Sequence, residues 1–176
     1  MDAVAAAVLE SWRLDLRMIF ALLTATWIYV RGWRQLHRQM PSRYTTDRLI
    51  LFVAGLGTIF VALASPLDAF GNLLLDAHMV QHLLLIMIAP LLILTGQPVL
   101  PLLRGLPQGW LTDGLGPFLR WRALRNLGGA LVSPVVAFFA MAIALIFWHL
   151  PRFYELGLRS QGWHQVEHAC FFFGGL

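Results

Sequence analysis

The chain has 176 residues, 59% of them hydrophobic and only 12% charged, with a formal net charge of +4 at pH 7. A soluble domain carries about twice that share of charge, so the composition excludes an ordinary water-soluble fold and points to an integral membrane protein. One cysteine, Cys170, excludes an internal disulfide and any cysteine-rich zinc module.

All thirteen basic residues are arginine, and they cluster in short connections beside apolar runs. That placement reads as a topology signal, not as a nucleic-acid surface, because no solvated basic domain is there to carry one. The start, "MDAVAAAVLESWRLD", has an acid at position 2 and no basic region, so it does not read as a secretory signal.

A bilayer core needs about 20 apolar residues as helix. The first block runs over 16–33, "LRMIFALLTATWIYVRGW", and the second over 48–66, "RLILFVAGLGTIFVALASP". The third covers 77–97, "AHMVQHLLLIMIAPLLILTGQ", and the fourth 130–150, "ALVSPVVAFFAMAIALIFWHL". A fifth begins at 162 and stops at 176 after "WHQVEHACFFFGGL", short of a crossing. The expected fold is all-α: a single membrane-embedded domain over 1–176, a polytopic transmembrane helix bundle of about five spans, truncated in the last.

Local features refine this expectation. Between the second and third blocks, "LDAFGNLLLD" is short and acidic and suits the membrane interface. The connection over 98–129 is rich in proline and glycine and reads as irregular. Within it a short amphipathic surface helix would set Trp110 and Trp121 at headgroup depth. Pro90 and Pro134 are expected to kink the third and fourth spans. "AGLGT" at 54–58 and Ala62–Ser65 offer small residues for close helix packing. Trp27, Trp33, Trp148 and Trp163 read as interface-belt residues.

Orientation follows from arginine. The connection over 31–48 carries Arg31, Arg34, Arg38, Arg43 and Arg48, and that over 98–129 carries Arg104, Arg120, Arg122 and Arg125. The 67–76 connection has Asp68 and Asp76 and no arginine. The arginine-rich connections therefore face the cytoplasm. The N-terminus, 67–76 and 151–163 face outward.

This topology sorts the six histidines. His37 falls in a cytoplasmic connection and reads as a solvated loop residue. His78 and His82 open the third span, His149 closes the fourth, and His164 and His168 open the fifth. Alternating spans bring these five to one side of the membrane, whichever way up the protein sits. On a helix, residues i and i+4 differ by about 40° of rotation and about 6 Å of rise, so each H-x-x-x-H pair projects both rings from one face. Gln81 and Glu167 occupy matching flanks and suit a partner's role toward a histidine N–H.

Polar groups in a bilayer are expensive and mark function, so the five histidines are candidate metal ligands. Imidazole suits copper, zinc, iron and nickel, and the Met79 thioether would favour Cu(I). Haem held between His82 and His168 is an alternative that would make an electron-transfer protein. No zincin motif, nucleophile elbow, P-loop or dinucleotide fingerprint appears, so a catalytic reading has no support. A copper permease would need polar residues through the cytoplasmic half of the bundle, where the third and fourth spans are nearly all apolar.

The stretches "SPLDAFGNLLLDAHMVQH", "HMVQHLLLIMIAPLLILTGQP", "SPVVAFFAMAIALIFWHLPRFYELGL" and "HQVEHACFFFGGL" resemble the multi-pass cytochrome c oxidase assembly factor family of the CtaG type. This is not the single-span copper chaperone that shares that label. The resemblance covers roughly 48–176. It implies a multi-pass protein of the bacterial inner membrane that helps mature a haem–copper oxidase through copper supply. Its partners would be the oxidase subunits and the lipid bilayer, with no nucleic acid. It also implies that His78, His82, His149, His164 and His168 are metal ligands, and that later helices follow in family members.

Overall fold

The computed structural model describes residues 11–12, 14–71, 73–116, 121–131 and 133–176. Among them the regular structure is helical, with no strand. In chain order the helices are α1 (Leu16–Gln39), α2 (Thr46–Ala64), α3 (Pro66–Gly71) and α4 (Leu75–Thr95). There follow α5 (Val99–Gly105), α6 (Arg122–Leu131), α7 (Pro134–His149), α8 (Pro151–Arg159) and α9 (Gln161–Gly175).

Among the described residues two helices, α2 and α4, are long and apolar enough to cross a membrane. A third span arises if the bent pair Arg122–Ala130 and Pro134–His149 is one segment. By length and composition two or three candidate spans are therefore found among the described residues, where about five were expected. The reason lies in charge and length. α1 places Arg31, Arg34 and Arg38 along its second half, so its uncharged stretch is short. α7 has 16 residues, about 24 Å of helix against a hydrocarbon core of about 30 Å.

Helix ends follow local chemistry. Asp15 precedes α1, and its carboxylate accepts the Arg17 backbone N–H at 2.8 Å, satisfying a donor that has no intrahelical partner. Pro134 sits in the first turn of α7, behind Ser133, whose hydroxyl accepts the Val136 N–H at 3.4 Å, so the break before it falls between two helices and not inside one. Proline is tolerated there because its missing N–H would be unpaired anyway. The chain turns by 69° between the two helices of the bent pair.

Pro90 acts differently. α4 widens into a π-helical turn over Leu84–Ile88 just before it, and the Ala89 N–H reaches back to the Leu84 carbonyl. Pro90 has no N–H to offer the Ile86 carbonyl, and Gly175 of α9 lies against that carbonyl and the Pro90 ring. A Cβ at 175 would collide there. Absence of a side chain therefore lets α9 lie close on α4 at the proline.

The remaining packing forms two apolar clusters. One joins Tyr29, Phe52, Leu56 and Ile93, with the Tyr29 and Phe52 rings stacked at 3.8 Å. Here α1 meets α5 backbone to backbone, since a Cβ on Gly32 would strike the Pro101 carbonyl and one on Gly105 the Ile28 carbonyl. Gly55 likewise meets Ile93 and the Ala89 carbonyl, whereas Gly57 faces open space. The other cluster joins Ile86, Trp148 and Phe171. Trp148 is buried in it, which corrects its expected place in the interface belt; Trp27, Trp110, Trp121 and Trp163 are exposed. Trp33 is half-buried and donates to the Thr45 carbonyl at 3.2 Å. The 151–163 connection contains the helix α8, and the 98–129 connection contains α5 and a π turn at Trp110–Leu115.

Candidate metal centre

The two H-x-x-x-H pairs lie on α4 and α9 and face each other. The ring centroids of His78 and His82 are 4.1 Å apart, and those of His164 and His168 are also 4.1 Å apart. Across the interface His78 stacks on His164 at 5.4 Å and 12°, while His82 meets His168 edge-on at 5.3 Å. The four rings thus form two rungs, one per helical turn. The spacing within each pair is set by the helix; the spacing between pairs is set by how closely α9 sits on α4.

Glu167 joins this group. Its carboxylate lies 3.8 Å from His82 Nε2, and the nearest donor atoms of His78, His82, His164 and Glu167 all fall within 4.8 Å of one another. Glu167 was expected as a flanking partner, and the signal for a larger role was present: it stands three residues from His164, so the two share a helix face. Gly157 of α8 closes against it, since a Cβ there would come within 2.9 Å of Glu167 Oε2. Gln81 accepts no histidine N–H: its Oε1 is buried without a hydrogen-bond partner. The side chain is buried, and its Nε2 donates to the Ala62 carbonyl at 2.9 Å and to Asp68 Oδ1 at 3.0 Å, tying α4 to α2 and α3.

His149 is not brought into this set of four donors. Its ring is exposed, and its Nδ1 lies 2.8 Å from the Leu145 carbonyl, an ordinary hydrogen bond within one turn of helix. His37 lies in the last turn of α1 rather than in a loop. It is half-buried and stacked on Trp33 at 4.8 Å, with Nδ1 2.6 Å from the Tyr44 carbonyl.

The donor chemistry fits a metal cation. His78 Nε2, both ring nitrogens of His82 and His168 Nε2 are buried without a hydrogen-bond partner. A buried polar atom left unpaired costs about 1–3 kcal/mol, and native proteins hold few of them. Several such nitrogens converging from two helices are what a cation would satisfy together. Donors around one metal at about 2.1 Å stand about 3.4 Å apart in a tetrahedron, so small side-chain rotations would close the set. The mixture of imidazoles and one carboxylate suits copper or zinc better than magnesium or calcium, which take oxygen donors.

The comparisons with known proteins bear on the same region. A profile of the family described as cytochrome c oxidase caa3 assembly factor matches residues 27–176, a longer stretch than the motifs alone cover. An uncharacterised protein of Mycobacterium bovis is 31% identical over 137 residues, 76% of this chain and 20% of its own length. One of Mycobacterium tuberculosis matches with the same identity and coverage. One of Mycobacterium leprae is 28% identical over 134 residues, 72% of this chain and 19% of its own. The chain therefore spans about a fifth of the length of these curated relatives. No solved structure matches it.

Proposed function

We propose that this chain, which belongs to the cytochrome c oxidase caa3 assembly factor family, handles copper for a haem–copper oxidase at the histidine face between α4 and α9. The observation that carries the reading is the set of unpartnered buried imidazole nitrogens on two facing helices. Within the protein the cargo would be held by His78, His82, His164 and Glu167, with His168 beside His82. Copper is the cargo of this reading because the family name attaches the protein to an oxidase whose reaction centre needs it. Imidazoles bind it well in either oxidation state.

The chain's own residues do the positioning. The α4 pair is fixed by Gln81, whose amide anchors the helix to the Ala62 carbonyl and Asp68. The α9 pair is fixed by Gly175 against Ile86 and Pro90. Phe171 lies 4.6 Å from the His82 ring and closes the deeper rung against water. Such a site holds a cation between dry walls on one side and a half-buried His164 on the other, an arrangement suited to passing a cation on. Haem is disfavoured because α9 touches α4 at Gly175, about two helical turns beyond His168, which leaves little room for a macrocycle between His82 and His168. The setting proposed is the bacterial inner membrane, with the oxidase subunits as partners.

The test is metal content. The purified chain, loaded with copper and desalted, should retain it, and the His78→Ala/His82→Ala double variant should not. In cells, loss of the gene should lower oxidase activity while the oxidase subunits are still made, and added copper should restore part of it. A wild-type chain that retains no copper, or a double variant that retains as much, would overturn the reading.

A further inference from the structure

Four side chains of the histidine face, His78, His82, His164 and Glu167, bring donor atoms within 4.8 Å of one another. His168 stands outside that set, yet it is only 7% exposed and its Nε2 has no partner. His82 carries the complementary surplus. Both of its ring nitrogens are buried and unpartnered, and one cation takes one nitrogen from a ring. Nε2 is turned toward the set, 3.8 Å from the Glu167 carboxylate, so Nδ1 is left over. His37 and His149 each bring Nδ1 to a backbone carbonyl, of Tyr44 and of Leu145; His82 brings it to none.

A neutral imidazole has one lone pair and one N–H. With the Nε2 lone pair committed to the cation, Nδ1 carries the hydrogen and needs an acceptor. Besides His168 Nε2, the buried side-chain acceptors left unpartnered among the described residues are His78 Nε2 and Gln81 Oε1. His78 is a member of the donor set. Gln81 Oε1 is turned to Gly71 of α3, where a Cβ would come within 3.1 Å of it. His168 Nε2 remains. Its ring stands edge-on to that of His82, with centroids 5.3 Å apart. An N–H···N bond of about 2.9 Å between imidazoles sets their centroids about 5 Å apart. Rotation of a ring about its soft Cβ–Cγ torsion therefore closes the bond without moving either helix.

We propose that His168 acts through His82 and not on the cation: it is a positioning residue whose Nε2 accepts the His82 Nδ1–H. That bond fixes the tautomer that leaves His82 Nε2 free to bind. This rests on the proposed copper reading and assigns the fourth imidazole its part in it. A partner of this kind makes the ligating nitrogen more basic, and its loss costs about 10- to 100-fold in metal affinity.

The experiment titrates the full chain in detergent with Cu(I) in competition with bicinchoninate, which gives both affinity and stoichiometry. His168→Leu should bind one equivalent, as the wild type does, about 10- to 100-fold more weakly. His168→Gln, whose amide oxygen can stand where Nε2 stood, should recover most of that loss. Cu(I) is diamagnetic, so ring ¹⁵N spectra of the loaded wild type should show a coupling between His82 Nδ1 and His168 Nε2 across the hydrogen bond. Unchanged affinity in His168→Leu, a glutamine variant as weak as the leucine variant, or absence of the coupling would overturn the role while the centre stands. Two equivalents in the wild type and one in His168→Leu would also overturn it, since His168 would then ligate a second cation. A wild-type chain that binds no Cu(I) would sink the role together with the centre.

Discussion

Two histidine environments in this protein are built on opposite principles. At the α1–α2 end three ring-bearing polar side chains have each found a backbone carbonyl, although Arg48 Nη1 is buried there without a partner. Tyr29 Oη donates to Gly96 at 2.7 Å, Trp33 to Thr45 at 3.2 Å, and His37 Nδ1 meets Tyr44 at 2.6 Å. At the α4–α9 end His78, His82 and His168 are buried with ring nitrogens unspent. The first arrangement stabilises a fold, because each of these three polar groups is compensated. The second is a liability in the chain alone, and under the proposed copper reading a cation supplies the missing partner. Residue type alone does not separate the two cases; the fate of each nitrogen does.

Substitutions can break the contrast in order of expected effect. The largest is at His82. His82→Leu should lose nearly all bound copper, measured by metal analysis after desalting, because two unpartnered nitrogens leave with one residue. Adding His168→Leu should lose little more, as expected for residues that serve one site. The same His82→Leu chain, free of metal, should melt no lower than the wild type and up to about 3 kcal/mol more stably, since removing an unsatisfied buried polar group relieves its desolvation. A melt depressed by that amount would show that the ring is already satisfied and the site is structural.

Glu167→Gln comes next. If the carboxylate completes the donor set, copper affinity should fall about 10- to 100-fold in a competition titration, with the melt unchanged. Unaltered affinity would leave the site to imidazoles alone. At the other end the signs reverse. Gly32→Val should lower stability by about 1–3 kcal/mol or more through overpacking against Pro101 and Gly105, read from thermal unfolding in detergent. Gly57→Ala, which meets nothing within 4 Å, should be neutral. Copper content should follow neither change beyond the unfolded fraction.

Tyr29→Phe should cost about 0.5–1.5 kcal/mol by orphaning the Gly96 carbonyl, and leave copper uptake alone. The smallest effect belongs to His37→Ala, which gives up one hydrogen bond and a ring stack at a half-buried position, about 1 kcal/mol or less. Loss of copper or of oxidase maturation in the His37 variant would erase the distinction between the two ends.

The sequence by itself determined what is local. Apolar blocks announced helices, and the H-x-x-x-H spacing put both rings of each pair on one face because helical rise and rotation are the same everywhere. The motifs were sufficient to indicate the family that the profile matches. The tertiary structure decided what depends on distance between helices. It gave two or three candidate membrane spans among the described residues where about five apolar blocks were read, since arginines and helix length act on whole segments and not on blocks. It buried Trp148 against Phe171, turned His149 onto its own backbone and brought Glu167 among the histidines. The physical reason is narrow: α4 opens into a π turn before Pro90, the proline offers the Ile86 carbonyl no N–H, and a glycine on α9 lies against it. That approach fixes the gap between the two histidine pairs, and nothing in the spacing of either pair encodes it.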